Sequence, residues 1–166
     1  MKTVKTVVIL FALACAIGNS PSAVLLESPT GRQAEIALIE KSIHASIGWA
    51  KKKDFQLLYS VIADDSSYIE VDPDSGLVTG IGQFRKNEAF WRSPDFEAIS
   101  YRIRDLRVNL SQSGTVAWFY CLLDDINRWK GNPANWVNTR WTGVLEKRNG
   151  RWVIVQMHFS FAAGRP

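Results

Sequence analysis

The sequence predicts an α+β domain in which a long, strongly curved antiparallel sheet packs on helices that precede it. The N-terminal half has apolar residues at the three- and four-residue spacing of amphipathic helices. The C-terminal half has four long stretches of alternating side chains joined by short turns. The 166 residues suit one such domain, because a domain usually contains about 100–200 residues.

Composition and charge exclude several classes of protein. A hydrophobic fraction of 46% and a charged fraction of 22% are near the globular average, which excludes wholesale disorder, collagen-like chains and coiled coils. The formal charge of +4 falls to +2 when Lys2 and Lys5, which lie in the N-terminal segment with the pattern of a leader, are left out. A charge this small gives no argument for binding nucleic acid.

The first residues have the pattern of a secretory leader. Lys2 and Lys5 form a short basic start, an apolar run extends from Val4 to about Ile17, and small residues follow as far as Ala23. The apolar run is shorter than the roughly 20 residues that span a bilayer. We therefore expect residues 1–23 to be a signal peptide, residues 24–166 to be the single folded domain, and the mature protein to be secreted or periplasmic. An alternative interpretation is a lipobox over residues 12–15, with a lipid anchor at Cys15.

Three helices are predicted before the long strands. The first starts near Arg32, carries its apolar stripe on four isoleucines and ends at the lysines of residues 51–53; the stripe is Ile36, Ile39, Ile43 and Ile47. Asp54 is a predicted N-cap of a second, short helix. Residues 83–91 are predicted to form a third helix.

The strands follow from alternation and turn chemistry. Residues 66–71 alternate, and the Asp-Pro-Asp-Ser-Gly turn after them predicts a hairpin with residues 77–79. Four longer strands are predicted over residues 96–110, 115–129, 136–147 and 151–161, the last pair joined by a tight Asn149-Gly150 turn. Short connections make these four strands an antiparallel meander.

Alternation also assigns the faces of the last strand. It places five residues on one face, namely Trp152, Ile154, Gln156, His158 and Ser160. The opposite face would carry Val153, Val155, Met157, Phe159 and Phe161. Because such an apolar face is poorly suited to water, we expect a homodimer formed through the outer face of the sheet.

Several short motifs together resemble the SnoaL-like group of the nuclear-transport-factor-2-like (NTF2-like) superfamily. They are Asp54-Phe55-x-x-Leu58, Asp64-Asp65-x-x-Tyr68, the Gly80/Gly82 turn into a helix, and the ending from Gly150 to Ser160. The resemblance covers residues 34–162. It implies a cystatin-like α+β roll shaped as a cone, with a pocket at its open end and frequent dimerisation. The superfamily also contains ketosteroid isomerase, scytalone dehydratase and the calmodulin-dependent kinase association domain, so the fold leaves the activity open.

Candidate acid–base groups for such a pocket are His158, Asp65 and Asp124. The His158 imidazole titrates near neutral pH and suits an acid, a base or a hydrogen-bond donor; the alternative is a structural histidine bonded to Ser160. One of Asp65 and Asp124 would be the base, although the adjacent pair Asp124-Asp125 also fits a solvated strand end.

Ligand-binding candidates surround these groups. Arg140 in the middle of a strand either faces the pocket and holds an oxyanion or faces outward to an acidic partner. The remaining candidates supply apolar surface with polar tips or a hydroxyl group, and they are Tyr68, Trp118, Tyr120, Trp152 and Ser160. No metal or cofactor motif is recognised, and Cys121, the one cysteine after the leader, is predicted to be a buried, inert thiol.

Two functions fit this pattern. The first is a domain that binds a small, largely apolar molecule in its cone, with isomerase, cyclase or dehydratase chemistry that needs no cofactor. The second is a dimeric, non-catalytic association module with a vestigial pocket.

Overall fold

The computed structural model describes residues 29–74 and 76–162. The predicted signal peptide and Cys15 lie outside the described residues. Helix α1 (Pro29–Gly48) runs into a 3₁₀ turn (Trp49–Lys52), and Asp54 caps α2 (Phe55–Val61) by accepting a hydrogen bond from the Leu57 amide. The predicted third helix is divided into α3 (Ile81–Phe84), a 3₁₀ turn (Arg85–Asn87) and α4 (Glu88–Arg92).

The described residues form one sheet of seven strands. Their bounds are β1 (Ile69–Val71), β2 (Leu77–Thr79), β3 (Phe96–Leu110), β4 (Val116–Trp129), β5 (Asn132–Pro133), β6 (Trp136–Arg148) and β7 (Arg151–Ser160). The order is β2-β1-β7-β6-β4-β3, with β5 paired to β4. The predicted hairpin of β1 with β2 and the meander of the four long strands are confirmed. The sequence pattern did not predict that β1 pairs with β7 in parallel.

Helices cover the concave face of the sheet, and the core lies between them. Ile39 and Ile43 on α1 are fully buried. The Glu35 carboxylate fixes α1 on the sheet, because it accepts hydrogen bonds from Lys147 Nζ at 2.6 Å and from Trp152 Nε1 at 2.7 Å. The α+β class and the curved sheet on N-terminal helices are therefore as expected.

Beta-bulges decide which residues of the long strands face the core. The β6–β7 register shifts between Val144 and Leu145, so that Val155 is an extra residue in β7. Trp152 and Ile154 before this bulge are buried, and so are Met157 and Phe159 after it. An added residue reverses the alternation, so the predicted common face of Trp152 and His158 is wrong.

The Cys121 thiol is buried and unpaired, as the alternation of β4 predicted. Burial raises the pKa of this thiol to about 12, which keeps it protonated and unreactive at neutral pH. Among the described helices, none is long and apolar enough to cross a bilayer.

Candidate functional site

A cavity of about 270 Å³ lies between the helices and the concave face of the sheet. Seven of its sixteen lining residues are aromatic. Since a cavity of about 150 Å³ accommodates benzene, this one has room for a molecule of one or two rings. The predicted pocket inside the curved sheet is therefore present as a physical space.

Aromatic packing fixes one wall of the cavity. The rings of Trp49 and Trp91 are 5.2 Å apart, those of Phe84 and Trp91 are 5.1 Å apart, and Phe84 continues the chain of contacts to Tyr68 at 5.0 Å. Edge-to-face and tilted contacts at these distances are favourable. The wall joins the 3₁₀ turn after α1 to α3, to α4 and to Tyr68, the residue before β1, so it is formed by the fold itself without a ligand.

Glu70 on β1 contributes a carboxyl group to this cavity. Only 8% of the residue is exposed, and its Oε2 accepts a hydrogen bond from the Tyr68 hydroxyl at 2.5 Å. Burial raises the pKa of Glu70 to about 7, although the Tyr68 hydrogen bond works in the opposite direction. A carboxyl group with this pKa exchanges its proton near neutral pH, which is the property of a general acid or base.

The Glu70 carboxyl group also meets a second acid. Asp72, the residue that follows β1, lies within hydrogen-bonding reach of Glu70, and its own pKa is raised by partial burial and by Asp74. Two carboxyl groups in such contact hold one proton between them. Because Asp72 is only half-buried, this pair of carboxyl groups extends from the cavity to the solvent.

A second carboxyl group lines the cavity from β4. Asp125 has its pKa raised by burial, and its Oδ2 accepts a hydrogen bond from Asn127 Nδ2 at 2.8 Å. Asn127 is also a lining residue and is buried, and its Oδ1 has no hydrogen-bond partner. Buried polar atoms are normally satisfied, so this oxygen is an acceptor that a ligand can use.

The polar groups of the lining are therefore mainly acceptors or acids. Apart from Glu70, Asp125 and Asn127, the lining is apolar or aromatic, with Ser46 donating its hydroxyl hydrogen to the Ile43 carbonyl at 2.9 Å. No group of three His, Cys, Asp or Glu side chains within residues 29–74 and 76–162 is arranged to hold a metal ion. Proton transfer on an apolar molecule is the chemistry that such an arrangement supports.

None of the residues that the sequence singled out as site candidates lines this cavity. His158 pairs with Thr142 and Val71, and it is exposed, because the β7 bulge turns it to the outer face. Its predicted inward orientation is wrong. The Arg140 guanidinium is also exposed and donates a hydrogen bond to the Phe161 carbonyl at 2.5 Å, while Ser160 is half-buried on the face of His158.

The two predicted acids are engaged in ion pairs away from the cavity. Asp65 is exposed and contacts Ser67 and the Arg148 guanidinium, and these hydrogen bonds, Ser67's first, lower its pKa. Asp124 accepts from Arg104 at 3.0 Å and from the Asn138 amide at 2.8 Å. The Arg104 hydrogen bond lowers the pKa of Asp124, so this carboxylate is a poor proton acceptor.

The aromatic candidates divide among three environments. Trp118 and Tyr120 are exposed and line a groove on the outer face of the sheet together with Gln156. Trp152 is a core residue bonded to Glu35. Tyr68 lies nearest to the position predicted for it as a ligand-binding residue, because it is buried and donates a hydrogen bond to the Glu70 carboxyl group of the cavity.

The sequence contained a signal for the residues that were missed. Simple alternation along β4 puts Asp125 and Asn127 on the same face as Cys121 and Leu123, which are fully buried. Glu70 likewise shares a face with Tyr68. The pocket face of β4 was assigned to the wrong side, and that choice favoured Asp124 over Asp125.

Solved structures place the chain in a class of folds. A candidate dehydratase of the NTF2-like family from Streptomyces avermitilis matches with a TM-score of 0.67 and 16% identity, over 80% of this chain and 99% of its own. The association domain of CaMKII from C. elegans matches with a TM-score of 0.59 and 17% identity, over 78% and 98%. A protein with a cystatin-like fold from Caulobacter vibrioides matches with a TM-score of 0.59 and 14% identity, over 78% and 91%.

These similarities define the fold as NTF2-like. Comparison with the sequences of curated proteins gives no match. The family model of the SnoaL-like domain matches residues 39–164, and the chain belongs to this family.

Proposed function

We propose that the protein binds a small, largely apolar molecule in its cavity and catalyses a proton transfer on it, with Glu70 as the group that takes up and returns the proton. The observation that carries the proposal is the buried Glu70 carboxyl group on the cavity wall, with a pKa raised to about 7. Desolvation makes its carboxylate a stronger base than an exposed one. The candidate dehydratase among the fold relatives is consistent with chemistry of this kind.

Each polar group has a distinct part in this mechanism. The ionised Glu70 carboxylate removes a proton from a C–H bond next to a polar group of the ligand, and the protonated Glu70 returns it to another position. The Tyr68 hydroxyl holds Glu70 Oε2 and fixes the orientation of the carboxyl group. The aromatic rings of the lining exclude water from the reacting atoms.

The exchange of carbon-bound protons tests this proposal. 2-Tetralone, a two-ring ketone, is a suitable probe because its protons next to the carbonyl exchange with D₂O and can be followed by NMR. We expect the protein to accelerate this exchange, with a rate that rises with pH and levels off above about pH 7 as Glu70 ionises. Glu70→Gln should reduce the acceleration about a hundredfold.

The matched control is Asp124→Asn, since this carboxylate lies next to Asp125 in sequence but is held outside the cavity by Arg104. It should keep the acceleration. Equal rates for wild type and Glu70→Gln would contradict the role of Glu70, and a failure to bind any two-ring molecule would contradict the proposed function as a whole.

A second candidate function is association. We infer a homodimer through the outer face of the sheet, supported by the groove that exposes 48% of Trp118 and 37% of Tyr120. Exposed rings on one continuous groove are typical of protein interfaces. The CaMKII association domain among the fold relatives favours the same interpretation.

The mass in solution tests the dimer. Light scattering on the eluting protein should give twice the chain mass for wild type and the mass of one chain for Trp118→Glu, because a charge in the centre of a buried interface is strongly unfavourable. Leu77→Glu is the control, since Leu77 is 57% exposed but lies on edge strand β2. A wild-type monomer would rule out the dimer.

We also propose that residues 1–23 direct secretion and are removed, with lipidation at Cys15 as the alternative. The basic start and the short apolar run support this proposal. N-terminal sequencing of the exported protein should begin between residues 17 and 24, and retention of Met1 would contradict it.

A further inference from the structure

We infer that the ligand of the cavity is a small organic ammonium ion with an apolar body of one or two rings. This inference rests on the proposed function, because it concerns the same cavity. Three features of the lining support it: the sign of its charges, an acceptor without a partner, and its tryptophan rings.

The first feature is the charge. Glu70 and Asp125 line the cavity, whereas Lys, Arg and His are absent from its described lining. Two half-buried carboxylates outside the cavity do have a cation, since Glu35 pairs with Lys147 and Asp124 pairs with Arg104. Asp125 has the Asn127 amide instead. Carboxylates that line a largely apolar cavity without a cation disfavour an anionic ligand and favour a cationic one.

The second feature is the orientation of the Asn127 amide. Its Nδ2 donates to Asp125, which leaves the buried Oδ1 as an acceptor without a partner. Asp125 and Asn127 therefore present neighbouring acceptors in the same cavity. An ammonium group has up to three N–H donors and can satisfy both oxygens, whereas a hydroxyl group has one donor.

The third feature is the aromatic surface. The lining includes three tryptophans, Trp49, Trp91 and Trp136, and indole faces attract cations more than other rings do. The attraction between an ammonium ion and these rings is stronger where the ion is shielded from water. The rings also bury the apolar body of the ligand. The acidic groups thus contact its charged end, and the aromatic rings contact its apolar end.

A matched set of tetralins tests the inference with the purified protein. 2-Aminotetralin, 2-tetralol and tetralin-2-carboxylate share one ring frame and differ in charge. By calorimetric titration at pH 8, the ammonium compound should bind at least tenfold more tightly than the alcohol, and the carboxylate should not bind measurably. Asp125→Asn should remove the preference for the ammonium compound, and Asp124→Asn should retain it.

The outcomes separate this inference from the proposed function. If the alcohol binds as tightly as the ammonium compound, or if folded Asp125→Asn keeps the preference, the ammonium inference is wrong while a small-molecule site remains. If none of the three compounds binds, both are wrong. Because the comparison of the three compounds is made on wild type, it does not depend on the folding of a variant.

Discussion

Replacing Glu70 by Gln should raise the free energy of unfolding by about 3 kcal/mol at pH 8, relative to wild type, and change it little at pH 4. The reason is the burial of a carboxyl group on the cavity wall. Its pKa is about 7 in the folded protein and near the ordinary value of 4.5 in the unfolded chain. Gln keeps the shape and can still accept the Tyr68 hydrogen bond, but it has no charge to bury.

The direction of the pH dependence follows from proton binding. Between about pH 4.5 and pH 7 the folded state retains a proton that the unfolded state has lost, so the stability of wild type decreases as the pH rises through this window. Above the folded pKa both states are ionised and the loss is complete. Below pH 4.5 both are protonated and the group contributes little.

Urea unfolding of wild type and Glu70→Gln at several pH values measures this difference directly. Asp124→Asn provides a contrast of opposite sign, because the pKa of Asp124 is lowered in the folded state by Arg104. Its wild-type carboxylate stabilises the fold above the unfolded pKa, and this contribution is lost as the pH falls. A constant difference between wild type and Glu70→Gln from pH 4 to pH 8 would mean that Glu70 is not the perturbed group.

Trp141→Ala should cost about 4 kcal/mol of stability, the largest loss expected for a single core substitution in this protein. Trp141 is fully buried on β6, and its ring contacts Phe119 at 5.0 Å and Phe159 at 5.4 Å between centroids. Since Phe159 lines the cavity, the loss of its supporting ring should also weaken the proposed binding of a ligand there. Urea unfolding gives the first effect and calorimetric titration with 2-aminotetralin gives the second.

Trp141→Phe separates packing from hydrogen bonding. The Trp141 Nε1 atom is buried and has no hydrogen-bond partner, which costs about 1–3 kcal/mol. Phe removes this unsatisfied donor while it keeps most of the ring contacts, so we expect its net cost to be well below that of Ala. Equal losses for Phe and Ala would show that the contacts of the outer part of the indole ring dominate.

Local signals in the sequence predicted most of the elements. The Asp54 cap, the isoleucine stripe of α1 and the Asn149-Gly150 turn act over a few residues, and each is found where capping, helical spacing and turn chemistry predicted it. The third helix was less well predicted, because residues 81–92 form two short helices with a 3₁₀ turn between them. Short segments have little propensity of their own, and packing decides their path.

The site was predicted less well because its position depends on the faces of the strands. A single extra residue at Val155 moves every later side chain of β7 to the opposite face of the sheet. No residue type in β7 predicts this bulge. The choice of Asp124 over Asp125 had a different cause. The alternation of β4 is regular, but alternation alone does not determine which face of the strand the helices cover.

The sequence by itself determined the α+β class, the order of helices and strands, the membership of the SnoaL-like family and the burial of Cys121, because these depend on local periodicity and on motifs. Only the tertiary structure decided that Glu70, Asp125 and Asn127 meet in one cavity while His158 faces outward. The cavity joins residues from β1 and β4, which are not neighbours in the sheet. Their pKa values and unused hydrogen bonds arise from burial, a property that exists only once the sheet has curved around its helices.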